Sequence, residues 1–195
     1  MTVKVILFDL GGVVVRLGDA IFPPEWLPNN NPFSLNEWLR ADAAKAFEVG
    51  AITHIEFAKS LKRELSIAKS EDQIIEKFAA WPEALFPSAH DLLTSLRRKY
   101  TLAALSNINE LHAPRMLDEF ELDKYFDQLL FSHELGVAKP DPQIFHKAVE
   151  LLNVEPHEIV FFDDVETNVQ VAMAQGLNAH QVFGLESILD HLSAY

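Results

Sequence analysis

Residues 3–8 form an apolar, β-branched run, broken only by Lys4 and closed by Asp9. Such a run reads as a strand buried on both faces, the kind found at the centre of a parallel sheet. Gly11-Gly12 then opens a turn. A chain that begins this way needs helices to cover both faces of its sheet and crossover connections to return to it.

The segment that follows does not continue the sheet. Phe22-Pro23-Pro24 and Leu27-Pro28-Asn29-Asn30-Asn31-Pro32 make an irregular, breaker-rich link. Three helix patterns come next. Ser34 with Glu37 forms a capping box ahead of Trp38, Leu39, Ala43, Ala46 and Phe47, and Gly50 ends that pattern. Thr53 with Glu56 starts a second, and Ser70 with Gln73 a third. No strand candidate interrupts residues 33–80, and Pro82 and Pro87 close the block.

From residue 88 helices and strands alternate. Ser88 with Asp91 predicts the cap of a helix through Lys99. Leu102–Leu105 is a strand ending at Ser106-Asn107, Leu111–Phe120 a helix, and Gln128–Phe131 a strand. Asp141–Leu152 is a helix with Pro142 in its first turn, where a missing N–H does no harm. Ile159–Phe162 is a strand ending at Asp163-Asp164, Thr167–Gln175 a helix stopped by Gly176, and Ala179–Phe183 a last strand. The fold class is α/β: a Rossmann-like parallel sheet with helices on both faces and an inserted α-helical cap. Residues 1–17 and 86–195 make the core domain, and residues 18–85 the cap.

Ligands of open α/β sheets bind at the carboxyl ends of the strands. The polar residues fall there: Asp9, Ser106-Asn107, Asp163-Asp164, and Lys139 a short loop after the third core strand. Three carboxylates on one sheet edge repel one another, and a hard divalent cation relieves that repulsion; Mg²⁺ is usual where carboxylates meet phosphate. Lys139 is a point charge suited to phosphate. Ser106 and Asn107 supply a hydroxyl and an amide, and the backbone at Leu10, Gly11 and Gly12 is open to close approach by an anion. A nucleophile, a metal, a cation and several donors make a phosphoryl-transfer site.

Asp9-Leu10-Gly11-Gly12-Val13-Val14, Leu105-Ser106-Asn107, Lys139-Pro140 and Phe161-Phe162-Asp163-Asp164 resemble the four signature motifs of the haloacid dehalogenase-like (HAD) hydrolase superfamily, in the family's order and across nearly the whole chain. The helical insertion resembles the cap of the branch that includes bacterial α-D-glucose-1-phosphate phosphatase and the phosphatase domain of soluble epoxide hydrolase. The resemblance implies that Asp9 attacks phosphorus and forms an aspartyl-phosphate. It implies that Asp164, Asp9 and the backbone carbonyl of Gly11 hold Mg²⁺, with Asp163 supporting it directly or through water. It implies phosphate binding by Ser106 and Asn107, charge neutralisation by Lys139, and an outer contact from Asn168.

One position departs from the pattern. Most phosphatases of this family read Asp-x-Asp in the first motif, and the second Asp is the acid and base. Here Gly11 stands in its place. Three readings are open: substrates with easier leaving groups, such as an anomeric phosphate; a water or cap residue that substitutes; or a catalytically impaired HAD-like binding protein. A 2-haloacid dehalogenase also lacks the second Asp, but it needs no metal and does not resemble a chain with an Asp-Asp pair in the fourth motif. A signalling receiver domain places its acid pair early, whereas here the pair comes last.

Composition narrows the partners. The formal net charge of −13 disfavours nucleic acid and anionic membrane surfaces. Without cysteine there is no thiol nucleophile, thiolate metal site or disulfide. No apolar run reaches the roughly 18 residues of a spanning helix, and the start does not read as a signal peptide, so the expected location is cytoplasmic. Neither a Gly-x-x-x-x-Gly-Lys loop nor a Gly-x-Gly-x-x-Gly turn is present. The eight histidines read as surface or satisfied core residues, Trp26, Trp38, Trp81 and Phe22 as cap core, and Glu48 and Glu56 as solvated helix faces. The expected ligand is a small phosphorylated metabolite, with sugar phosphates first; monomer and homodimer are both open.

Overall fold

The computed structural model describes residues 2–30, 38 and 41–195. Strand β1 (Val5–Phe8) is buried at every position, as a central strand must be. It pairs in parallel with β4 (Thr101–Ser106) on one side and β6 (Ile159–Asp163) on the other. Strands β5 (Gln128–Phe131) and β7 (Asn178–Gln181) complete the five-stranded parallel sheet, in the order β5-β4-β1-β6-β7.

Successive side chains of a strand point to opposite faces, so each strand feeds two cores. Ile6, Phe8, Leu102, Ala104, Val160 and Phe162 pack with helices α4 (Ala89–Leu96) and α8 (Ile188–Leu192). Val5, Leu7, Ala103, Leu105, Ile159 and Phe161 pack with α6 (Pro142–Leu152) and α7 (Glu166–Ala174). The α/β parallel architecture is the one expected from the alternating pattern.

The insertion forms a third apolar cluster of its own. Helices α1 (Asp42–Glu48), α2 (His54–Leu65) and α3 (Glu71–Ala79) surround Trp38, Phe47, Phe57 and Phe78. Phe47 stacks on Phe57 at 4.3 Å and Trp38 on Phe78 at 5.0 Å between ring centroids. Both capping boxes, Thr53/Glu56 and Ser70/Gln73, are formed, each satisfying two orphan groups at a helix start. The Ser34/Glu37 box lies outside the described residues.

Several local expectations need correction. Pro82 does not simply close the cap: β3 (Pro82–Leu85) pairs antiparallel with β2 (Val15–Leu17), and this two-stranded ribbon carries the chain out to the cap and back. The second strand of that ribbon therefore lies inside the stretch assigned to the cap, and its Pro-Glu-Ala-Leu sequence shows no alternation that would reveal it. Ser88 makes no side-chain cap, because its backbone (φ −91°, ψ 0°) lacks the extended geometry that aims an N-cap oxygen at the third N–H, and the helix ends at Leu96, short of Lys99. Within Leu111–Phe120 the chain adopts a π-helical turn at Arg115–Glu119. Helices α5 (Ser132–Leu135) and α8 were not anticipated; both are too short for periodicity to show. Among the described residues, no helix is long and apolar enough to cross a membrane.

Candidate active site

Register places the site. Phe8 pairs with Ala104 and with Phe162, so the next residue, Asp9, stands level with Leu105 and Asp163 at the carboxyl rim. Its N–H continues the ladder to the Phe162 carbonyl at 2.8 Å. Ser106 ends the neighbouring strand, so residues 97 and 154 positions away in sequence converge on Asp9.

Asp9 is only 8% exposed. Its Oδ1 accepts three bonds: from the Leu10 N–H at 2.7 Å, the Ser106 hydroxyl at 2.7 Å and the Lys139 ammonium at 2.9 Å. Among the described residues, no donor reaches Oδ2. One oxygen is thus anchored and the other left for a ligand. Burial raises the Asp9 pKa above the ordinary carboxylate range; Lys139 opposes this and Asp163 adds to it.

Lys139 is 5% exposed and is shared between two acids, reaching Asp163 Oδ2 at 2.6 Å as well as Asp9. Burial works against its charge, but the carboxylates of Asp163 and Asp9 outweigh burial and raise its pKa. The lysine is therefore a fixed ammonium. Asp163 is fully buried, and it also accepts from the Val165 N–H at 2.8 Å and from the Asn168 amide at 3.0 and 3.1 Å. Both its oxygens are engaged in holding Lys139 and the start of α7. Asn168 acts on the site through Asp163.

The Asn107 amide is committed in the same way. Its Oδ1 accepts the Lys139 N–H at 2.8 Å, and its Nδ2 donates to the Lys139 carbonyl at 2.9 Å. The same Nδ2 reaches Glu48 Oε2 at 3.4 Å. In the structure this side chain clamps the backbone that carries Lys139 and also lines the cavity.

Asp164 differs from its neighbour. It lines the cavity, and its backbone carbonyl accepts from Gln181 at 2.8 Å. Burial, then Asp9, then Asp163 push its pKa up to about 7. Carboxylate oxygens of Asp9, Asp163 and Asp164 lie within 4.8 Å of one another. Three carboxylates facing one lysine leave negative charge uncompensated, and an all-oxygen donor set of this kind suits a hard cation such as Mg²⁺. Gly12 keeps the group in place: its φ is +76°, and a Cβ there would come within 2.2 Å of Asp164 Oδ2.

Above these residues lies a cavity of about 630 Å³, within the range of small-molecule sites. Asp9, Leu10, Gly11, Ser106, Asn107, Lys139 and Asp164 all line it from the core. The cap contributes Trp38, Lys45, Glu48 and Val49, and Trp81 enters from the ribbon. Trp38 and Trp81 are thus both cap packing and cavity wall.

Glu48 is not the solvated helix face expected of it. It is half-buried at the end of α1, its Oε1 accepts the Trp38 indole N–H at 3.0 Å, and burial pushes its pKa up to about 7. Helical spacing alone does not expose this, because Glu48 follows Phe47 at the border between the packed and open faces of α1. Glu56, by contrast, is exposed and completes its capping box. Among the histidines, His112 is buried between core and cap, accepting from the Asn109 amide and donating to the Phe78 carbonyl at 2.8 Å.

Fold and site define an α/β protein with a helical insertion and a cluster of three carboxylates at the carboxyl rim of its parallel sheet. The model of the haloacid dehalogenase-like hydrolases matches residues 3–176, and the chain belongs to that family. Among curated proteins it is similar to a D-ribitol-5-phosphate phosphatase of Bacteroides thetaiotaomicron, 26% identical over 92% of this chain and 91% of that protein. It is also similar to a phosphorylated carbohydrates phosphatase of Thermotoga maritima, 30% identical over 51% of this chain; the match spans only 45% of that protein. Among solved structures, a HAD family enzyme of Bacteroides thetaiotaomicron in complex with magnesium and inorganic phosphate superposes with a TM-score of 0.78. That enzyme is 29% identical, over 92% of this chain and 93% of its own.

Proposed function

We propose that this chain is a Mg²⁺-dependent phosphatase that hydrolyses small phosphorylated metabolites, sugar phosphates foremost, through an aspartyl-phosphate intermediate. The observation that carries this reading is the asymmetry of Asp9. Oδ1 is fixed by three donors, while no donor among the described residues reaches Oδ2, and Asp9 lines the cavity beside the Lys139 ammonium. A carboxylate so held is oriented for attack on phosphorus, and its geometry needs no reorganisation. Lys139 balances charge on the transferring phosphoryl group, and Ser106 offers its hydroxyl beside it. Asp9, Asp164 and the Gly11 carbonyl would hold Mg²⁺, which supplies further charge neutralisation on the phosphoryl oxygens. Asp163 and Asn107 orient Lys139 from its two ends.

The relatives named as phosphatases support the same reaction class. A dehalogenase has no use for the Asp164 carboxylate, which adds a third acid to the pair Asp9 and Asp163. The cap contributes Trp38, Lys45, Glu48 and Val49 to the cavity wall, which suits exclusion of water from the intermediate.

The test is p-nitrophenyl phosphate and a panel of sugar phosphates with Mg²⁺, with EDTA and Asp9→Asn as controls. Turnover abolished by both controls is the expected result. Turnover that survives EDTA, or that persists in Asp9→Asn, overturns the proposal, as does chelator-insensitive halide release from 2-chloropropionate.

A further inference from the structure

The Gly11 position carries no acid, and the ribbon closes over it with an apolar group: a Cβ at residue 11 would lie 3.3 Å from Leu17 Cδ1. Among the described residues, position 11 and the Leu17 side chain beside it therefore offer a leaving oxygen no proton donor. The carboxylate that the cap presents to the same cavity, among the described residues, is Glu48, and the core holds it there. Ser132 Oγ donates to the Glu48 carbonyl at 2.5 Å and accepts from the Ile108 N–H at 3.1 Å, fastening the end of α1 to the rim of the sheet. Two residues on, Gly50 has φ +68°, and a Cβ there would lie 2.6 Å from the His133 carbonyl oxygen, so the cap backbone rests directly on the core. Glu48 is gripped at both oxygens, by Trp38 from the cap and by Asn107 from the core. Asn107 is the residue that also clamps Lys139, so the cap carboxyl and the catalytic lysine share one support.

We propose that Glu48 is the general acid and base of this enzyme, taking over from the cap the work that a second aspartate performs in Asp-x-Asp relatives. The inference rests on the phosphatase reading above. In the first half-reaction Asp9 Oδ2 forms a bond to phosphorus, the bond from phosphorus to the leaving oxygen breaks, and the Glu48 proton goes to that oxygen. In the second, Glu48 as carboxylate takes a proton from water. The water oxygen bonds to phosphorus, the Asp9–phosphorus bond breaks, and phosphate and the free Asp9 carboxylate are released. Glu48 ends protonated, as it began.

The same group must give and take a proton near neutrality, and burial lifts its pKa to about 7, with the Trp38 hydrogen bond and Lys139 opposing and Asp9 adding. The charged groups that face the cavity with it are Asp9, Lys139 and Asp164 from the core strands and loops, Asp141 at the start of α6, and Lys45 from α1 itself. Neutral His112 also lines it.

The experiment compares wild type, Glu48→Gln and Glu48→Asp on phosphate monoesters of graded leaving-group pKa. Gln keeps an acceptor for Trp38 but has no ionisable proton. For alkyl phosphates, kcat/KM of Glu48→Gln should fall by about 10²–10⁴-fold. For p-nitrophenyl phosphate, whose leaving group needs no proton, kcat/KM should fall less than about tenfold. That substrate should instead show a burst of p-nitrophenolate equal to the enzyme, because hydrolysis of the intermediate has slowed. The fall of kcat/KM above about pH 7 in wild type should vanish in Glu48→Gln, and Glu48→Asp should recover part of the loss. A loss equal for all leaving groups, an equal loss in the Asp and Gln variants, or no loss overturns the assignment while the phosphatase reading stands. Wild type inactive on every ester takes both down.

Discussion

Replacing Lys139 by methionine keeps the length of the side chain and removes the one cation that serves two buried carboxylates. Asp9 and Asp163 lie 2.9 and 2.6 Å from its ammonium and are 8% and 0% exposed. Removing one partner of a buried ion pair costs about 3–5 kcal/mol, because the charge left behind is neither solvated nor compensated. For a chain of this size each kcal/mol moves the melting temperature by about 2–4 °C, so Lys139→Met should melt about 6–20 °C below wild type. The assay is thermal unfolding in EDTA at pH 7.5 and again at lower pH. Burial holds the pKa of Asp9 above that of the unfolded chain. Its stabilising contribution is therefore complete below the unfolded value near 4 and is lost as pH rises through the folded value. The deficit of Lys139→Met should shrink on acidification. A variant that melts within about 2 °C of wild type at pH 7.5, or whose deficit deepens as pH falls, refutes the account of Lys139 as the charge that makes this rim possible.

Two further outcomes are expected. Gly12→Ala places a Cβ where Asp164 Oδ2 now lies and forces an L residue to φ +76°, which costs about 1–2 kcal/mol before the clash is counted. Mg²⁺ affinity should fall at least about tenfold by isothermal titration, and unchanged affinity would remove Asp164 from the metal group. His112 is buried with its pKa lowered to about 4 by burial, with the Phe78 carbonyl bond opposing and Arg115 adding. Its neutral form stabilises the join between cap and core fully above the unfolded value near 6.5, and that stability drains away as pH falls toward 4. The difference in melting temperature between wild type and His112→Leu should change across that window; a pH-independent difference would mean that His112 does not titrate on unfolding.

How much of this was legible beforehand follows from the range of the interactions. The run from Val3 to Phe8 declared a central parallel strand because burial on both faces leaves no room for alternation. The breaks at Pro23-Pro24 and Pro28 and the boxes at Thr53 and Ser70 marked the cap because caps and breakers act within four residues. Asp9, Ser106, Lys139 and Asp164 were found because a strand end in such a sheet is a binding position whatever the rest of the chain does. Asn107 and Asp163 were found, but their duties were not: only the packed loops show that both are committed to Lys139.

The ribbon of β2 and β3 escaped notice because its pairing joins residues more than sixty positions apart and neither three- nor four-residue strand has a period to read. Glu48 escaped because its character is not local. On an isolated α1 it would be an ordinary solvated acid; it becomes a half-buried, near-neutral-titrating carboxyl only when Trp38 closes one side and Asn107 and the rim of the sheet close the other. The chain by itself determined which elements form, in what order, and which residues stand at the strand ends. Only the tertiary structure decided which of those residues touch, which are spent on supporting others, and which cap acid lines the cavity with Asp9, because desolvation and pairing depend on neighbours that the fold alone brings within reach.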